Sequence, residues 1–181
     1  MSEDTEAVLF LNQNDDQVKT HMKDFPAPFI VRTLDDKWAA LLLEGFYVPQ
    51  VKVKLSDISN DVPLLYFADG EYGWAFEVYA GGAKVAALGT EAEDFDENAD
   101  FTYRDYSPER CARCNFEALS VFDLDATTLH NLRAGLTAEP MPDRISMSGG
   151  AFFMDLVGIG AIWSIDYRHA AHFESQTEDD E

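Results

Sequence analysis

The sequence predicts an α+β fold: an antiparallel β-sheet drawn largely from the first ninety residues, with helices packed mainly on one face. Three observations carry this expectation. Alternating apolar segments joined by short turns rich in Gly and Asp fill the chain up to residue 89. Leucines at helical spacing behind capping residues fill much of the chain beyond residue 107. Hydrophobic residues make up 46% and aromatic residues 13%, enough for a packed core rather than a disordered chain.

Taken in order, AVLFLN (7–12) reads as a strand. A helix comes next in NDDQVKTHMKDF, capped by Asn14 or Asp15 and stopped before Pro26. PFIVRTL and WAALLL flank Asp35–Asp36 as a hairpin. VPQVKVKLSDIS fits a strand through Val51, Val53 and Leu55, and a helix through Val48, Val51, Leu55 and Ile58. Pro49 at the first helical position favours the helix. Residues 62–88 form an antiparallel meander with one buried face, turning at DGEYG and at Gly81–Gly82. In its middle strand Trp74, Phe76 and Val78 share one side, while Ala75, Glu77 and Tyr79 share the other.

Beyond the meander, Ser107, Pro108 and Glu109 suit a helix start. From there Cys111, Cys114, Ala118 and Phe122 would lie along one helical face. DATTLHNLRAGL reads as the next helix, capped by Asp125, with Leu129, Leu132 and Leu136 at its core positions. GAFFMDLVG reads as a short helix ending at Gly158. Trp163, Ile165 and Tyr167 alternate as a closing strand over 162–167. Residues 1–173 read as a single domain with an acidic loop at 90–100, and 174–181 as a disordered acidic tail.

The meander PLLYF…WAFEVYAGGAKVA, the helix LHNLRAGL and the segment FFMDLVGIGAIWSIDY together resemble a loose group of small microbial α+β proteins. In that group a Trp-containing hairpin precedes a helical region and a closing LVG…W.S.DY segment. The similarity covers 62–88 and 129–167 and leaves the first sixty residues outside it. It brings no catalytic motif, so it implies a fold and no activity.

Charge is the dominant chemical feature. Thirty-four acidic residues against thirteen basic ones give a net charge of −21. Such a surface predicts no direct contact with a nucleic-acid backbone, where affinity comes from Lys and Arg displacing counterions. It equally predicts no binding to an anionic membrane face. Two origins for the acid stand side by side. Twenty Asp against six Lys fits a saline cytoplasm, where salt screens a dense carboxylate surface. It also fits a basic protein partner, steered in by the field. No stretch approaches the ~18 apolar residues of a membrane helix, and MSEDTEAVLF lacks a basic signal-peptide start. Cytoplasmic residence is therefore expected.

Cys111 and Cys114, in the motif CARC, are the only cysteines. As helix neighbours they read first as small buried hydrophobes. With His169 and His172, or His130, they could complete a zinc site, which would open a zinc-binding or metal-dependent hydrolase reading. Arg110 and Arg113 would favour a thiolate, although no strand–helix redox context precedes them. Ser148, Gly149 and Gly150 at a helix start could hold an anion, though the sequence has no P-loop or GxGxxG pattern. His21, His130, His169 and His172 are the available bases and sit in no catalytic signature. No cofactor is expected.

At the hairpin tip, Asp69, Glu71 and Tyr72 combine an aromatic anchor with steering charge, the composition of a partner contact. The sequence thus points to a non-catalytic binding or interaction protein, inhibitor- or immunity-like. The zinc reading, and acidity as salt adaptation alone, are the alternatives.

Overall fold

The computed structural model describes residues 5–44, 49–70, 73–89, 112–138, 143–162, 165–168 and 170–171. Its centre is a six-stranded antiparallel sheet in the order β2-β3-β1-β4-β5-β6. The strands are β1 (Thr5–Leu11), β2 (Phe29–Thr33), β3 (Trp38–Leu43), β4 (Leu64–Gly70), β5 (Gly73–Ala80) and β6 (Ala83–Gly89). Helix α1 (Asp15–His21) links β1 to β2, and α2 (Pro49–Ile58) links β3 to β4.

Both crossovers skip one strand, and they run in opposite directions from oppositely directed strands. A crossover of the same hand in each case lays both helices on the same face of the sheet. There Val18 of α1 and Met22 at its C-cap, with Val51, Leu55 and Ile58 of α2, bury Val8, Phe10, Leu41, Leu64 and Tyr79. Asn14 starts α1 with a capping box. Its side chain accepts from the Gln17 N–H, and the Gln17 side chain accepts from the Asn14 N–H. At the other end of this layer, Ser59 takes the β5–β6 turn in hand: its carbonyl accepts from the Gly81 N–H at 2.8 Å and its hydroxyl from the Gly82 N–H at 3.1 Å. Gly81 and Gly82 both have positive φ, as a two-residue hairpin turn of this kind needs.

The opposite face carries the heavier layer. It comprises the 3₁₀ segment Phe116–Phe122, α3 (Ala126–Leu136), α4 (Asp143–Val157) and the 3₁₀ turn Gly160–Ile162. Asp125 caps α3 by accepting from the Thr128 N–H at 2.7 Å, and Leu129, Leu132 and Leu136 face the core. Helix α4 ends in a Schellman arrangement. Gly158 has φ +78, and the N–H groups of Gly158 and Ile159 both reach the Met154 carbonyl. Phe153 is the hub of this layer. It stacks on Phe76 with ring centroids 4.5 Å apart, on Phe67 at 5.6 Å, and tilts against Trp74 at 5.7 Å.

The α+β architecture, an antiparallel sheet with packed helices, matches the expectation from sequence, as do the hairpin over 29–43, the helical choice for 49–58 and the meander. The helices expected mainly on one face divide between a heavier layer and the α1–α2 layer. Four details differ. The first two strands of the meander are buried on both faces, because Leu64, Tyr66 and Tyr79 on the second face lie in the core with α2. Helix α4 starts at Asp143, well before GAFFMDLVG. No single helix carries Cys114, Ala118 and Phe122: the chain bends at Cys114 and continues as a 3₁₀ segment. Its buried residues Phe116, Leu119 and Phe122 recur every third position, which is the 3₁₀ period. Finally, 162–167 adds no strand among its described residues. The first residues of β1 extend past the register with β3, which covers Val8–Leu11. In that gap the Glu6 N–H donates to the Ile165 carbonyl at 3.0 Å, and the chain then turns helical at 167–168.

Among the described residues, no helix is long and apolar enough to cross a membrane. The acidic run 90–100, the expected helix start at 107–109 and the tail 174–181 lie outside the described residues.

Candidate functional site

Alternation along β4 puts Leu65, Phe67 and Asp69 on the heavier helical face. The last row of that face therefore reads Thr5, Asp69, Trp74 across β1, β4 and β5. Leu65 and Phe67 are fully buried, Thr5 is 3% exposed and Trp74 5%. Asp69 thus occupies a position that the strand pattern reserves for an apolar residue.

Helix α4 closes over this row at Gly149 and Gly150. A methyl group at Gly150 would overlap Asp69 Oδ2 and lie 2.6 Å from Asp69 Cγ and 3.1 Å from Trp74 Cβ. One at Gly149 would lie 2.5 Å from Trp74 Nε1. Both contacts are far inside the ~3.5–4.0 Å at which carbon atoms normally rest. The glycine pair is therefore what lets the helix backbone settle onto the carboxyl and the indole. The anion reading of Ser148, Gly149 and Gly150 fails here: they lie inside α4 rather than at its start, and the two glycines are buried.

Burial by these neighbours pushes the Asp69 carboxyl up to about 6, against the opposing effect of the Gly70 N–H, which bonds to it. A carboxyl beside a tryptophan in an apolar recess can serve as a proton donor near neutral pH. Among the described residues, however, no three His, Cys, Asp or Glu side chains converge to hold a metal.

A second polar cluster lies on the opposite face. Tyr79 Oη donates to Glu77 Oε2. Lys84 Nζ reaches Glu77 Oε1 at 3.1 Å, and Lys52 of α2 lies 3.7 Å from the same oxygen. Burial, then the bond and charge of Glu77, hold the Tyr79 hydroxyl well above its ordinary range. Tyr79 is thus a fixed donor, and the cluster ties α2 to β5 and β6 rather than presenting a reactive group.

Of the residues singled out in the sequence, Asp69 lies in the seam between the hairpin and α4, while Glu71 and Tyr72 lie outside the described residues. Cys114 is buried at 7% exposure in the core of the heavier face, and His130 is exposed on α3. Cys111, His169 and His172 lie outside the described residues. Sequence reading missed the pairing of Asp69 with the Gly149–Gly150 step. Two signals were available: an aspartate in phase with the buried residues of its strand, and adjacent glycines in phase with Phe153 and Val157 of α4. Comparison of the chain with protein-family models, with curated proteins and with solved structures gives no match in any of the three.

Proposed function

We propose that the chain is a non-catalytic binding protein, of the inhibitor or immunity kind, whose partner is a basic protein selected in part by negative charge. The observation that carries this reading is the net charge of −21. Its carboxylates stand exposed on both layers: Asp16 on α1, Asp35 and Asp36 between β2 and β3, Asp57 and Asp61 around the end of α2, and Glu117, Asp123, Asp125 and Asp155 on the heavier layer. Carboxylates spread in this way produce a field around the whole molecule, which raises the encounter rate with a cation and repels phosphate backbones and anionic membranes. The same composition suits residence in a cytoplasm.

A field does not fix a register, so an anchoring contact is also required. The hairpin tip between β4 and β5 supplies it in this reading. Since Asp69 is turned under α4, Glu71 and Tyr72 are the tip residues assigned to the partner. Immobilising the full chain and passing lysate of its source cells over it at low salt tests the proposal. A basic protein held there and released by a salt gradient supports it. Retention of nothing beyond bare-resin background, or of a protein indifferent to salt, overturns it.

A further inference from the structure

We propose that the seam between the β4–β5 hairpin and α4 is a pH-sensitive latch: with Asp69 protonated the Gly149–Gly150 turn lies closed on the hairpin, and ionisation of Asp69 loosens that turn. The geometry supplies the device. The carboxyl sits at the end of a buried row, with Thr5 on one side, Trp74 on the other and the backbone of Gly150 over it. A neutral carboxyl can rest against a helix backbone and an indole, whereas a carboxylate there loses part of its hydration, offset among the described residues by the bond from the Gly70 N–H.

The charged groups around it supply no compensating cation among the described residues. On β1, Glu6 points to the opposite face, where it accepts from Tyr66 Oη at 3.0 Å. On β5, Glu77 is also on the opposite face and is bonded to Tyr79. On α4, the described part turns Gly150 and Phe153 inward and Asp155 outward. The C-terminal segment meets β1 through the Ile165 carbonyl, its Arg168 is exposed, and among the described residues no cation contributes to the shift at Asp69.

The sign comes from linkage. A carboxyl raised from 3.8 to about 6 in the closed state favours closure fully below 3.8, and that preference is lost as pH rises through about 6. What opens is the contact of α4 with Trp74, next to the hairpin tip; the latch is independent of whether that tip binds a partner.

Amide hydrogen exchange over residues 150–154 of the full chain, corrected for the intrinsic pH dependence of exchange, reads the latch directly. Protection should fall about threefold to fivefold between about pH 5 and pH 7.5, less than the roughly tenfold that an unscreened shift of this size gives over that window, because the carboxyl is partly hydrated. In Asp69→Asn, which keeps the shape and cannot ionise, protection should be level across that range. Should that variant fold poorly, carbon-detected titration of the wild-type Asp69 carboxyl serves instead, and its midpoint should coincide with the midpoint of the protection change. Level protection in the wild type, an equal fall in Asp69→Asn, or midpoints more than about one pH unit apart would each overturn the proposal.

Discussion

Replacing Gly150 by alanine sets two effects of known size against each other. Inside an exposed helix, alanine is better than glycine by about 1 kcal/mol, so propensity alone predicts a more stable protein. Here the new methyl group would overlap the Asp69 carboxyl and approach Trp74 Cβ to 3.1 Å. The carboxyl can swing aside, but Trp74 Cβ is fixed to the backbone of β5, so the helix itself must back away. Overpacking of a closed seam costs about 1–3 kcal/mol, and backing away also loosens the Phe153 stack on Phe76. The net expectation for Gly150→Ala is a loss of about 1 kcal/mol, read as a lower urea midpoint with an unchanged slope. The double variant with Asp69→Ala removes one of the two obstacles. In that background the alanine should cost less, by a coupling of about 0.5–1 kcal/mol. A Gly150→Ala midpoint equal to or above wild type would refute the close-approach argument, because propensity would then be acting unopposed.

Other consequences are open to simpler measurements. Phe153→Ala removes the ring on which Phe67, Phe76 and Trp74 converge, and should cost about 3–5 kcal/mol in urea unfolding; a loss below about 1 kcal/mol would mean the aromatic hub is not closed. Self-repulsion among carboxylates predicts that molar KCl raises the unfolding midpoint, and a midpoint indifferent to KCl would count against charge as a stability determinant. The burial of Cys114 in the core favours packing over metal ligation, so the native mass of the purified chain should be unchanged by a chelator. A mass excess that the chelator removes would restore the zinc reading.

Most of the sheet was legible because its strands follow a period of two with turns marked by Asp and Gly. The choice of helix for 49–58 rested on Pro49, and the buried set Val51, Leu55 and Ile58 shows why: that spacing, and not alternation, faces the sheet. Alternation misled at Ile165 and Tyr167, since a strand also needs a length of free edge to pair with. β1 is paired on both sides from Val8 to Phe10 and leaves only a short stretch near Glu6 open on one side. The 3₁₀ segment was missed because the helical stripe was drawn through Cys114, Ala118 and Phe122 at a spacing of four, whereas the buried residues Phe116, Leu119 and Phe122 recur at a spacing of three. Both faces of β4 and β5 are covered because the β3–β4 crossover places α2 behind the sheet, a property of topology that no single strand encodes. The seam at Asp69 was half legible. Its residues stood in phase in β4 and in α4, but which helix meets which strand end is decided by tertiary packing.

The proposed function rests on the hairpin tip acting as the anchor within an acidic field, and the most direct test is the affinity of Glu71→Ala/Tyr72→Ala for the basic partner recovered on the wild-type chain. Leaving Asp69 in place keeps the seam with α4 intact. The expected result is at least a tenfold weaker Kd, about 1.4 kcal/mol, with an unchanged urea midpoint. An affinity equal to that of the wild type would contradict the assignment of the tip as the contact.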